Sequence, residues 1–406
     1  MSGEKAQLTA LARRFGTPLY VYDFDLIRHN FEQYRRAAGT TDHLICAAVK
    51  ANGNLALLRR LAQWGSGFDV VSGGELERVL MAGGRADRTV FSGVGKTRDE
   101  IDAALRAGIL LFNVESEAEL DLLAERAARL RLAARFGLRV NPDIAAVTHP
   151  HIATGLRQHK FGVTLALAQK LYLRPRPRWL EPAGISFHIG SQILSLAPFA
   201  RAAARVAQLT ARLAERGVAL RYFDAGGGLG IAYRPGQRPP TIAAYVGALR
   251  TALPPGMSLL IEPGRSLVAA AGSLLTRVLY VKDSGRKRFV IADAGSNDLL
   301  RPSLYDAYHD IQPVIPRRGA RRVVEIVGPI CETGDVLGRE RRLPPLAADD
   351  YMVIADAGAY GFSLSSNYNA RPRAAEVALE GGRARLVRRR ETSSDLAAAD
   401  LAEPKK

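Results

Sequence analysis

Four stretches of this 406-residue sequence place reactive side chains directly after apolar runs. Lys50 lies in Ala48-Val49-Lys50-Ala51-Asn52, behind a mostly apolar segment and before a turn of small residues. An amine held at such a mouth is desolvated, which favours its neutral, nucleophilic form. It is a candidate Schiff-base amine; the plainer alternative is a solvated charge. His188 lies in Phe187-His188-Ile189-Gly190-Ser191-Gln192. An imidazole there suits the face of a flat ring, with Ser191 on a phosphate, whereas a core histidine bonded to backbone is the alternative. Asp224-Ala225-Gly226-Gly227-Gly228 leaves successive backbone N–H groups open to an anion. It lacks the strand-one position and the acidic partner that a dinucleotide site requires. Glu262-Pro263-Gly264-Arg265 adds a carboxylate and a guanidinium. Arg265 suits the same anion, and Glu262 suits a pyridine nitrogen, which an anion keeps protonated so that the ring can act as an electron sink.

Cys331 and Glu332 follow Gly328-Pro329-Ile330 and precede Thr333-Gly334-Asp335. A thiol with a pKa of about 8.5 is still protonated at neutral pH and can serve as a general acid. The alternative for a cysteine is a small core hydrophobe. The acidic neighbours and the Gly/Pro-bounded loop favour chemistry for Cys331, and a mid-strand position beside Ile45 and Ala47 favours the core for Cys46.

These groups work together only if the fold brings several strand ends to one face. Eight short strand-like runs occur, at residues 43–49, 67–72, 89–93, 110–114, 135–140, 184–190, 221–227 and 258–264. Most do not alternate, which fits strands buried on both faces. Helical spacing separates them, most clearly over 54–64, 75–82, 117–130 and 197–214. Eight β-α units within about 250 residues predict a (β/α)8 TIM-type barrel, with its active site at the C-terminal strand ends and phosphate held after strands seven and eight. A doubly wound sheet is the rival. Lys50 then ends strand one, His188 strand six, the glycines strand seven and Glu262 strand eight. Beyond residue 264 the texture changes to strands at 273–282, 287–293, 321–327, 351–356 and 373–379, with turns at 283–285 and 380–382. The expected division is a barrel over residues 25–268 and a C-terminal β-domain of 269–406 joined by 1–24. Residues 402–406 look frayed.

Composition is that of a globular protein, 47% hydrophobic and 24% charged. The net charge of +17 comes from arginines spread along the helical stretches, with runs at 317–322 and 383–390 that flank probable strands and lack interleaved aromatics. This predicts a solvated basic surface rather than a nucleic-acid footprint. Residues 1–15 show no continuous apolar signal segment, and no stretch has the apolar length of a membrane span. Two cysteines do not make a disulfide framework, so a reducing cytoplasm is expected. No metal is expected.

On the strand-end groups together, the sequence resembles the fold-type III pyridoxal-phosphate-dependent decarboxylases, a family that includes ornithine and diaminopimelate decarboxylases and whose barrel alanine racemase shares. Asp69 in Gly67-Phe68-Asp69-Val70, Arg139 in Leu138-Arg139-Val140, and His159-Lys160-Phe161-Gly162 match as well. In the β-domain, residues 293–305, 328–335, 356–361 and 366–373 are similar to the branch that acts on diaminopimelate, and the resemblance runs from Gly16 to Thr392. Gly295-Ser296 departs from the Met or Ala of many members, beside the substrate segment.

The resemblance implies pyridoxal 5'-phosphate as cofactor and roles for individual residues. Lys50 would hold the cofactor and His188 would stack on it. Asp69 and Arg139 would form a polar network near the lysine. Ser191, Gly226, Gly227, Gly228 and Glu262-Pro263-Gly264-Arg265 would contact phosphate and pyridine. Arg265, Arg301 and Tyr305 would bind substrate carboxylates, Glu332 a substrate amine, and Tyr360 both cofactor and substrate. Cys331 would be the proton donor. Arg for a carboxylate and Glu for an amine describe a substrate with an amino-acid group at its far end. meso-2,6-Diaminopimelate is that molecule, and its decarboxylation gives L-lysine. A homodimer with shared sites is also implied. The rivals are a decarboxylase of carboxynorspermidine or a carrier-bound glutamyl group, a racemase, and a non-catalytic regulatory protein that binds the cofactor.

Overall fold

The computed structural model describes residues 2–144, 160–175 and 177–401. His159 and residues 402–406, about which expectations were formed, lie outside the described residues. Two compact units result, one of Arg28–Ile231 with Arg238–Leu267, the other of Met1–Ile27, Ala232–Gln237 and Val268–Lys406.

The first unit is a closed barrel. Its eight strands are His43–Ala48, Gly67–Val70, Thr89–Phe91, Leu111–Val114, Ala134–Asn141, Leu180–Ser186, Tyr222–Asp224 and Ser258–Ile261. Each pairs in parallel with the next. The eighth returns to the first, with Leu259 opposite His43, and so removes both edges of the sheet. The short strands Gly67–Val70 and Leu111–Val114 are buried at every position, as expected of runs without alternation.

Polar residues set where the helices begin. Asn54, Ser72, Thr97, Ser116, Thr164 and Thr241 each accept a backbone N–H in the first turn of the helix that follows. Thr97 and Glu100 complete a reciprocal capping box. Asn54, Ser72, Thr97 and Ser116 turn the chain within a few residues of the barrel strand before each.

The second unit is built on a nine-stranded mixed sheet. Its main order is Val336–Leu343, Arg322–Val327, Lys287–Ala292, Gly272–Ser284, Leu19–Asp23, Ala375–Glu380 and Arg383–Arg388. Tyr351–Ile354 pairs with Gly272–Ser284, and Ile311–Pro313 pairs with Tyr351–Ile354. Leu19–Asp23 therefore sits between strands more than two hundred residues away, and Leu19 and Val21 join Leu11, Leu275 and Val377 in one core cluster.

Three strands of this sheet have no clear mark in the sequence: Ile311–Pro313, which is only three residues long, Val336–Leu343 and Arg383–Arg388. Arg383–Arg388 has the composition of a charged flank, yet it pairs antiparallel with Ala375–Glu380. Val336–Leu343 carries Arg339-Glu340-Arg341-Arg342, whose charges hide the period of two. The helices Ser2–Phe15 and Phe24–Ala38 were likewise not anticipated. No helix among the described residues is long and apolar enough to cross a membrane.

Candidate active site

The first barrel strand runs into a single turn, Val49–Ala51, that carries Lys50. Val49 and Ala51 are buried on either side of it, and Ala48 N donates to Pro263 O at 3.1 Å, which ties strand one to the loop after strand eight. The Lys50 amine donates to Asp69 Oδ2 on strand two. Asp69 is fully buried, while the Lys50 side chain is 37% exposed. The second oxygen, Asp69 Oδ1, is buried with no hydrogen-bond partner among the described residues. Such an oxygen is costly to leave unmatched.

Beneath this pair lie two more buried carboxyl groups. Asn113, at the end of strand four, donates to Asp224 Oδ2 at 2.8 Å, to Ser92 Oγ at 3.1 Å and towards Glu262 Oε1 at 3.5 Å. Asp224 Oδ1 accepts Gly226 N at 3.0 Å. Burial raises the pKa of Glu262 well above the ordinary range, and the charges of Asp224 and Asp69 push it further. Burial also raises Asp224, to about 6. Several carboxyls confined with one lysine cannot all ionise without a further cation, so this cluster at the strand ends suits a group that brings a positive N–H.

The glycine loop shows why no larger residue stands there. A Cβ on Gly227 would lie 2.2 Å from Glu262 O, and one on Gly228, at φ +115°, would lie 2.3 Å from Gly190 O. Close backbone approach thus brings the loops after strands six, seven and eight together. Gly227 N donates to His188 Nδ1 at 3.2 Å, so that nitrogen is unprotonated. Burial, then the charges of Arg139 and Lys50, hold the His188 pKa well below its ordinary value, which keeps the ring neutral. Arg265, itself buried, donates to Ser191 Oγ at 3.0 Å. Gly227→Ala should force the loop off Glu262, at a cost of about 1–3 kcal/mol. We expect weakened cofactor retention on gel filtration with the barrel still folded by circular dichroism. Full retention would show that the loop is not the anchor.

Arg139 is held from behind. Its Nη1 pairs with Glu115 Oε1 at 2.8 Å, and its guanidinium lies 4.8 Å from the Phe161 ring centroid. Glu115 also accepts Gly93 N at 2.9 Å and Gly162 N at 3.1 Å. Its own backbone N donates to Glu119, whose other oxygen pairs with buried Lys96 at 2.7 Å. The expected segment around Phe161 is thus part of the seat of Arg139.

The remaining candidates lie in the second unit. Arg301 opens the short helix Arg301–Tyr305, is buried, and meets His309 Nε2 at 2.9 Å. Its guanidinium lies 4.7 Å from the centroid of Tyr233. Tyr305 is partly buried at the end of that helix. Cys331 is a free, exposed thiol whose backbone N donates to Asn369 Oδ1 at 3.3 Å. Glu332, also exposed, accepts the Tyr368 hydroxyl at 2.6 Å. Their loop is fastened by buried Asp335, which accepts Ser296 N at 2.6 Å and Ile330 N at 2.7 Å. Tyr360 is partly buried and left-handed, at φ +57°.

Sequence reasoning gave no role to Asn113, Glu115, Asp224, Tyr233 or His309. Extending the strand-end argument to strand four, Leu111–Val114, would have reached Asn113 and Glu115. No comparable signal marks His309.

Comparison with known proteins follows the same outline. The family described as pyridoxal-dependent decarboxylase, pyridoxal binding domain, matches residues 24–269. A diaminopimelate decarboxylase of Pseudomonas aeruginosa is 50% identical over 399 residues, covering 98% of this chain and 96% of the relative. One from Neisseria meningitidis serogroup A is 49% identical over 402 residues, covering 98% of each. A crystal structure of diaminopimelate decarboxylase from Helicobacter pylori complexed with L-lysine superposes with a TM-score of 0.93 at 43% identity, over 97% of this chain and 98% of that one.

Proposed function

The chain belongs to the pyridoxal-dependent decarboxylase family, and on that premise we propose that it converts meso-2,6-diaminopimelate to L-lysine and CO2, the last step of lysine biosynthesis. The observation that carries this reading is that one chain holds both kinds of residue the reaction needs. A half-buried lysine on a buried aspartate, with a buried carboxyl cluster, stands at the strand ends of the barrel, and a buried arginine and an exposed Cys-Glu loop stand in the second unit.

The barrel residues fit pyridoxal phosphate. The unmatched Asp69 oxygen calls for a hydrogen-bond donor and the glycine cradle for an anion, and a ligand that carries both a donor group and a phosphate would complete them. Bound there, the cofactor supplies an electron sink for the charge left when CO2 departs. Lys50 would hold it, and Glu262 would face the ring nitrogen. Ser191, Arg265 and the backbone of Gly226, Gly227 and Gly228 would hold the phosphate, beside Pro263 and Gly264. Neutral His188 would lie against the ring, with Asp69 and Arg139 as its polar surroundings and Tyr360 at its rim. Arg265, Arg301 and Tyr305 would hold substrate carboxylates and Glu332 an amine. Cys331 Sγ would deliver the proton that replaces CO2. We assign cofactor binding to residues 25–268 and completion of the site to 1–24 with 269–406. Both cysteines are unpaired, which supports a reducing, cytoplasmic setting.

Incubation with meso-diaminopimelate and pyridoxal phosphate should release CO2 and L-lysine in equal amounts. Turnover of another carboxylate-bearing amine with diaminopimelate untouched would sink the assignment.

We further propose a homodimer in which each Cys331 loop completes its partner's site. The support is chemical: the cofactor candidates up to Arg265 belong to the barrel unit, while Cys331 and Glu332 stand exposed on the other. Two-fold pairs are the commonest soluble assembly. Lys50→Ala and Cys331→Ala proteins should each be nearly inactive. Mixed under subunit exchange, they should recover about a quarter of wild-type activity, because hybrids carry one doubly damaged and one intact site. Verified exchange without recovery would place Cys331 in its own subunit's site.

A further inference from the structure

Arg301 is gripped on two sides within its own unit. His309 is fully buried, and its Nδ1 lies 2.8 Å from Ala355 O. A carbonyl oxygen only accepts, so Nδ1 carries the hydrogen. In the neutral ring Nε2 is then bare, and it accepts from Arg301 Nη1 at 2.9 Å. A second ring proton would set an N–H against the guanidinium, so the contact itself selects this tautomer. Tyr233 covers one guanidinium face at 4.7 Å and meets the His309 ring edge-on, with centroids 5.4 Å apart at 74°. The backbone of His309 is anchored as well, because Arg341 Nη2 donates to His309 O at 3.0 Å while its guanidinium stacks 3.8 Å from the Tyr308 ring centroid.

We propose that His309 is a positioning residue that aims Arg301 at the carboxylate of the substrate's non-reacting end, and so helps select a substrate that has one. The inference rests on the assignment of Arg301 to that carboxylate. A free arginine loses considerable rotamer freedom on engaging an anion. Here His309 fixes one N–H and Tyr233 covers one face, so the direction of the guanidinium is set before any ligand arrives.

L-Lysine keeps the carboxylate in question and cadaverine lacks it, so the pair isolates the effect. In cofactor-loaded enzyme, His309→Leu should raise KM for meso-diaminopimelate and weaken L-lysine inhibition by roughly ten-fold. Its kcat, its cofactor absorption and its inhibition by cadaverine should change little. His309→Gln, whose amide donates to Ala355 O and whose carbonyl accepts from Arg301, should recover most of the loss. Unchanged L-lysine inhibition in His309→Leu, with Arg301→Ala weakened, overturns the inference alone. Unchanged inhibition in Arg301→Ala as well overturns the reading beneath it. Equal losses for lysine and cadaverine also overturn the inference, since they mark general damage. Should His309→Leu not fold, 15N NMR of the histidine-labelled wild-type holoenzyme decides: a protonated Nε2 on His309 overturns the proposal, and a bare one supports it.

Discussion

Lys50→Arg should leave a folded protein that turns over meso-diaminopimelate at least about 10^4-fold more slowly, the scale on which loss of a covalent nucleophile acts. The substitution keeps a cation against the buried Asp69 carboxylate, so the barrel does not inherit an unpaired charge. What it removes is an amine able to lose its proton, since a guanidinium stays charged. The covalent link is tested directly in the unmodified protein. Borohydride treatment of cofactor-loaded enzyme should fix one cofactor on the peptide that contains Lys50. Labelling of another lysine, or more than a few per cent activity in Lys50→Arg, would remove Lys50 from its role.

The second large effect is expected at Arg301. Arg301→Ala should lower kcat/KM for meso-diaminopimelate by about 30- to 5,000-fold, corresponding to the roughly 2–5 kcal/mol lost when one member of a buried charge pair is truncated. The effect should fall mainly on KM, and the cofactor absorption should be unchanged, because no cofactor candidate of the barrel unit is altered. The size follows from burial: Arg301 is only 6% exposed, so water cannot take over its task cheaply. An intact kcat/KM would mean that the far carboxylate is held by another residue.

The barrel was legible because its strands are short, apolar and separated by capped helices, so that residues such as Lys50 and Glu262 could be placed at strand ends by counting. The interior polar network was not legible. Asn113 and Asp224 are 111 residues apart, and each sits inside or beside an apolar run where a single polar residue carries no period. Only closure of the sheet turns them towards each other. His309 escaped for a related reason: its partners are Arg301, eight positions earlier, and Ala355 O, forty-six positions later, and neither spacing is that of a repeating element. The strands Val336–Leu343 and Arg383–Arg388 escaped because their side chains disguise them, while the pairing that defines them is made by backbone.

Those same two strands bear on solubility. They end the main strand order of the nine-stranded sheet, and so each has one side that pairs with no further strand among the described residues. Such a side is a template for uncontrolled association with other chains. Exposed Arg339 and Arg342 stand on one outer strand, and exposed Arg383 and Arg385 on the other. Bringing two such borders together would crowd like charges at the spacing of a strand pair, which is repulsive. Part of the +17 net charge then acts as a guard against aggregation, strongest at low salt and weakened as ionic strength shortens the reach of each arginine.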